Sequence, residues 1–427
     1  MSSKKKTRKQ GIAQIMRKSR DCVILDIKKR RIRSKLAKKR GTKKMKGGSG
    51  TNSNRQIKVL EGLILSCCTN GDLPNLKKWV LKLKEINTVT PLDFQDEYWD
   101  SPIRICCNNS HTELLEYLID EGANVEMGDQ FGWTQLCTEL FKNADMECAS
   151  ILLNRGGADI NTVNHVGGTV LYICAQENFT IGMRFALENG ADANKTTTEL
   201  TPLFVATVKD HHQCVSILLA HGANANTSKN DGTSPLYIAA QLNNHRSMAL
   251  LLAHGVDVNK CRNKVLTPLY VAVEKNSLEC LSMFLATEGI DADRDNGTGF
   301  TPLHNATARN HTECMAMLLE HGVNAELTDK NGIAPIHIAA DKSNLPILLA
   351  HGVDANIVDS EGNTPLHFAA ALNNLECAKS LIFYKHEYHH RTDVNAMNNK
   401  GQTPLWMASD KGHLSMVNLL LRNNGAN

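Results

Sequence analysis

Aromatic residues make up only 5% of this 427-residue chain, and no stretch approaches the ~18 consecutive apolar residues of a membrane-spanning helix. The one apolar stretch near the N-terminus, Cys22 to Leu25, is too short and too charged at its flanks for a secretory leader. Cysteines number 13, an odd count, and no Cys-x-x-Cys pair occurs among them. That spacing gives no thiolate metal site and reads as free thiols in a reducing compartment. Catalytic signatures are missing as well: there is no Gly-rich phosphate loop, no His-Glu pair of the zinc-protease kind and no nucleophile elbow. The expectation is a soluble intracellular chain without cofactor, metal or reaction centre, and so not an enzyme.

What the chain does contain is a repeat. Thr201-Pro202-Leu203-Phe204, Ser234-Pro235-Leu236-Tyr237, Thr267-Pro268-Leu269-Tyr270, Thr301-Pro302-Leu303-His304 and Thr364-Pro365-Leu366-His367 are copies of one phrase. The aligned second positions are Pro102, Gln135, Val170, Pro202, Pro235, Pro268, Pro302, Pro335, Pro365 and Pro404. Their separations are 33, 35, 32, 33, 33, 34, 33, 30 and 39 residues. A fixed period near 33 predicts a stack of small units, none of which can bury its apolar face alone.

Residues 229–259 show how one unit is built. Lys229-Asn230-Asp231-Gly232 reads as a turn. Thr233-Ser234-Pro235 then opens a helix, since a hydroxyl caps free N–H groups and proline is tolerated in a first turn. A second helix is expected from about Arg246 to Ala253, stopped at His254-Gly255. The first helices should end on a left-handed residue, supplied by Asn178, Asp210, Asn243, Asn276, Asn310, Asn373 and Gly412. Cys148, Cys214, Cys280, Cys314 and Cys377, each following Glu or Gln, read as small buried hydrophobes.

The Thr-Pro-Leu-(His/Tyr)-x-Ala phrase, the Leu-Leu-x-His-Gly tail and the period together resemble the ankyrin-repeat family. The resemblance covers about residues 57–427, including a degenerate first unit over Leu63 to Val80. It implies an all-α solenoid of about eleven helix-turn-helix units with projecting hairpin loops, and a partner protein held on the concave face of the array. Three irregularities stand out. Unit nine, Lys330 to Asn356, is short, with Pro346 where its second helix should begin, so a clipped helix is expected. Unit ten carries extra residues, Lys385-His386-Glu387-Tyr388-His389-His390, expected to bulge from its second helix. In the last unit Met407, Met416 and Leu420 are expected to face outward, toward a neighbour.

Charge divides the chain. Residues 1–46 hold 20 Lys and Arg against Asp21 and Asp26, whereas the remainder holds 28 basic and 42 acidic residues. A disordered basic tail (1–46), a flexible linker (47–56) and an acidic array (57–427) follow. Lys28, Lys29, Arg30, Arg31, Arg33, Lys35, Lys38, Lys39 and Arg40 resemble a nuclear-import signal. The same cluster could bind nucleic acid by counterion release. Nucleus is therefore the expected location, with cytoplasm as the alternative.

Histidines and aromatics need separate weighing. His221, His254, His321 and His351 recur before Gly, and His304, His337 and His367 recur after Leu or Ile; one per unit points to structural roles. The trio His386, His389 and His390 makes a better ligand set, but it lacks cysteine, so a solvated loop is preferred. Tyr172, Phe204, Tyr237 and Tyr270, joined by Trp406, read as inter-repeat packing before they read as a partner-anchoring strip. At loop tips the expected partner contacts are Gln130, Phe131, Trp133, Asn230, Lys330, Asn331, Ser360 and Glu361. The functional expectation is a non-enzymatic protein-interaction scaffold. Two alternatives stay open: a substrate-recruiting subunit of a ubiquitin ligase, and a nucleic-acid-associated regulator acting through the tail.

Overall fold

The computed structural model describes residues 52–86, 91–140, 145–165, 167–195, 199–384 and 391–423. The basic tail with its import-like cluster, most of the linker and the histidine-rich insertion at 385–390 lie outside these residues. The chain divides at Val59, and residues from Leu60 onward form one compact unit. Among the described residues this unit is built from helices alone, apart from an isolated bridge between Arg262 and Leu266.

Helices come in pairs joined by short turns, such as Pro235–Leu242 with His245–Ala253 and Pro302–Arg309 with Thr312–His321. First helices pack on first helices and second on second, in chain order. Most first helices start where a hydroxyl is available: Oγ of Thr201, Ser234 and Thr267 accepts from the N–H of Phe204, Tyr237 and Tyr270 at 3.1, 3.1 and 3.0 Å. Proline follows at the position whose N–H would be unpaired anyway. Behind the cap, Leu203, Leu236, Leu269, Leu303 and Leu366 are fully buried, and small pairs such as Ala239-Ala240 let successive helices approach closely.

The stop signals are placed as the sequence suggests. Asn178, Asp210, Asn243, Asn276, Asn310, Asn373 and Gly412 all have positive φ, and Ser110 joins them. Asparagine tolerates that region better than other non-glycine residues, and its side chain finds secondary employment: Asn276 Oδ1 accepts from the Cys314 thiol at 3.2 Å. The cysteines at the repeated second-helix position are buried and free. Burial pushes the Cys214 thiol up to about 11 and the Cys280 thiol up to about 12, which leaves them neutral packing groups and not nucleophiles.

Unit nine is clipped on both sides. Its first helix spans Pro335–Ala339 and its second Leu345–Ala350, with Pro346 inside the first turn. The last unit corrects one expectation. Met416 and Leu420 are fully buried and Met407 is half-buried, in a unit whose two helices pack on each other and on those of unit ten. The apolar groups exposed there are Trp406, Leu414 and Leu421.

Candidate protein-binding surface

The loop tips owe their shape to one side chain each. At Asp129 the carboxylate accepts from the N–H groups of Phe131 (2.9 Å) and Trp133 (3.1 Å), closing the turn Asp129–Trp133. Asp359 repeats this with Glu361 and Asn363 at 2.9 and 2.7 Å, and Asn398 with Lys400 and Gln402 at 3.0 and 2.9 Å. Neighbouring tips are then joined through the backbone. The N–H of His165 donates to Phe131 O (3.1 Å), Asn263 to Asp231 O (2.8 Å) and Lys330 to Thr298 O (3.1 Å). Ser360 donates to Asn331 O (3.0 Å) and Asn399 to Glu361 O (2.9 Å). Close approach requires glycine at some tips: a Cβ on Gly332, at φ +76°, would lie 2.5 Å from Ser360 N.

This ladder presents side chains on a fixed backbone. Gln130, Asn230, Lys330, Asn331, Ser360 and Glu361 are exposed on it, and Phe131 is half-buried. Several already have partners, with Asn230 hydrogen-bonded to Glu199 and Glu361 paired with Lys400 at 3.2 Å.

Trp133 is a correction: its side chain is buried at 6% exposure, so it is not a tip contact. It packs toward Gly168 of the next unit. The reason lies beneath it, where the Arg104 guanidinium donates to Trp133 O at 3.3 Å and meets the Asp129 carboxylate at 3.7 Å, both side chains buried. A signal was present, since the equivalent position holds Leu200, Leu266, Phe300 and Ile333 in other units.

The aromatic strip also faces inward. Tyr172, Phe204, Tyr237 and Tyr270 are buried between units, while Trp406 is 47% exposed. In units eight to ten His304, His337 and His367 take that place. Two features were not anticipated from sequence. Arg262 reaches back to Asp231 (3.0 Å) and lies over the Tyr237 ring at 5.5 Å. Burial pushes the Asp231 carboxyl up, but Thr233 and the Arg262 guanidinium outweigh it and hold the group below its usual range. Asn263 and Lys264, at the same tip, both adopt positive φ. Among the described residues no group of three or more His, Cys, Asp or Glu is placed to hold a metal ion, and no helix is long and apolar enough to cross a membrane.

Capped helix pairs stacked at a fixed period, with tips cross-linked in register, define a helical-repeat interaction protein. A family model described as ankyrin repeats matches in overlapping segments from residue 63 to residue 427. The chain belongs to the ankyrin-repeat family. It is 30% identical over 135 residues to an ankyrin repeat and KH domain-containing protein of Caenorhabditis briggsae, covering 31% of this chain and 5% of that protein. It is also 30% identical over 118 residues to ankyrin repeat and SOCS box protein 3 of Homo sapiens, covering 26% of this chain and 23% of that protein. The chain thus spans less than a quarter of the length of these relatives. Among solved structures, the ankyrin repeat domain of Bcl-3 matches 52% of this chain and 97% of its own length, at 23% identity and a TM-score of 0.47. Ankyrin repeats indicate a protein–protein interaction scaffold.

Proposed function

We propose that the array is a non-enzymatic adaptor that holds a partner protein along its loop tips and the adjoining flank of the first helices, and that the cluster Lys28–Arg40 carries the chain into the nucleus. The observation that supports the first part is the backbone ladder between tips, which fixes a row of exposed, chemically varied side chains before any partner arrives. A surface organised in advance loses little conformational entropy on docking. Gln130, Asn230, Lys330, Asn331, Ser360 and Glu361 are the residues on which specificity would rest, with Phe131 contributing its exposed edge.

A photo-crosslinking residue at Lys330 should form adducts with the partner, whereas one at Arg246, on a second helix, should not. Adducts from Arg246 alone would move the binding face to the second helices and sink the proposal. The import assignment is tested separately by changing Lys28, Lys29, Arg30 and Arg31 to Ala in a fluorescent fusion; unchanged nuclear entry would refute it. Similarity to an ankyrin repeat and SOCS box protein supports a second reading, recruitment of a substrate to a ubiquitin ligase. Co-purification of ligase subunits with the full chain distinguishes it.

A further inference from the structure

The second helix of the first unit, Leu73–Ile86, breaks with the acidic character of the array. It carries Lys77, Lys78, Lys82 and Lys84 against the single acid Glu85. Leu76, Val80 and Leu83 take its buried face, which turns Lys77, Lys78 and Lys82 to solvent. Lys78 Nζ lies 4.8 Å and Lys82 Nζ 5.2 Å from the centroid of the Trp79 ring, so one indole gathers two ammonium groups. Lys77 Nζ lies 5.5 Å from the Tyr117 ring of the next unit. Three carboxylates of the next unit are committed elsewhere: Glu121 pairs with Lys84 at 2.5 Å, while Glu116 and Asp120 pair with Arg155 at 2.9 and 2.6 Å. Among the described residues Lys77, Lys78 and Lys82 have no carboxylate within ion-pair distance.

We infer that Lys77, Lys78 and Lys82, gathered on Trp79 and Tyr117, form a site for the phosphodiester backbone of a nucleic acid. Ordering a lysine side chain is entropically expensive, and here the rings have already restricted all three. The site is an open convex helix face, which suits an extended polyanion offering charges in series better than a compact ligand needing a pocket. An anionic membrane fits less well, because the apolar stripe of this helix is spent on the array and only Leu81 and Ile86 remain exposed on it. The site lies on the folded array, so its contribution adds to any binding by residues 28–46.

The test uses the full chain and a labelled 20-nucleotide oligothymidylate, with affinity measured across a salt series. Each phosphate contact on a single strand contributes about 0.7 to the slope of log affinity against log salt, so K77Q/K78Q/K82Q should lower the slope by about 2 and the low-salt affinity by roughly tenfold or more. A control removing equal charge elsewhere, K209Q/K275Q/K342Q, should leave the slope unchanged. The inference is overturned if the first triple variant keeps the wild-type slope, if the control lowers it equally, or if the full chain binds phosphatidylserine vesicles through these lysines but not the oligonucleotide. Circular dichroism of both variants separates loss of contacts from loss of fold.

Discussion

His304, His337 and His367 each sit at the third position of a first helix and tie two units together with one imidazole. Nδ1 accepts from the backbone N–H of Thr301 (3.1 Å), Ala334 (3.0 Å) and Thr364 (3.1 Å), so it must be unprotonated. Nε2–H then donates into the following unit, to Ile333 O (2.9 Å), to Ile357 O and Asn363 O (3.0 and 3.2 Å), and to Gln402 O (3.0 Å). Protonation would set an N–H against an N–H. Burial holds all three below the usual value of 6.5 despite the opposing pull of those carbonyls. A depressed folded value means the unfolded chain binds more protons in the window just below pH 6.5. The stabilisation is therefore complete above that pH and is lost as pH falls toward the folded values. The urea midpoint should drop between pH 7.5 and pH 5.5, and His304→Tyr, which installs the residue that units six and seven use, should reduce that drop. An equal drop in the variant would remove His304 from the account. Sequence made the role of these residues legible through their period, but the tautomer became visible only with the partner carbonyls. Trp133 shows the opposite case. Its flanking turn residues suggested exposure, while the Arg104–Asp129 pair that draws it inward joins positions 25 residues apart in sequence with nothing local to announce it.

At the scale of the helix, start and stop signals were readable because they depend on neighbours in the chain. A hydroxyl three residues before the N–H that donates to it, or an asparagine in a left-handed site, needs no tertiary information. Interruptions were only partly readable. The first helix of unit three is α-helical over Gln135–Thr138 and passes into the wider π form at Glu139 and Leu140, although no proline or glycine stands there. There Glu139 is fully buried and accepts from Gln135, an arrangement set by packing. Unit nine carries the clearest defect in the caps. Its N-cap is Ala334, which offers no oxygen, so the first helix Pro335–Ala339 relies on His337 alone. Ala334→Ser places a hydroxyl where Ser234 already fits under similar burial and should stabilise the array by about 1 kcal/mol, read as a higher urea midpoint. A lower midpoint would mean that this unit has no room for the oxygen.

In a stack held by nearest neighbours, stability is a sum of unit and interface terms, so the weakest junction decides where the molecule opens. The described array has an evident candidate. Unit nine offers helices of five and six residues where its neighbours offer Pro302–Arg309 and Thr312–His321 on one side and Pro365–Ala371 and Leu375–Phe383 on the other. Shorter helices bury fewer apolar groups against each flank, and Pro346 restricts how far the second can extend. The units from Pro202 to His321 have full-length helices, and each of their first helices has a hydroxyl cap and a left-handed stop. Unfolding should therefore depart from a single two-state transition. In native-state hydrogen exchange, amides of residues 365–423 should open as a block at a free energy a few kcal/mol below that of residues 202–321. Ala334→Ser should narrow that gap, because it strengthens the junction and leaves both flanking blocks unaltered. Equal opening energies across the two blocks would show that unit nine transmits cooperativity as well as its longer neighbours do.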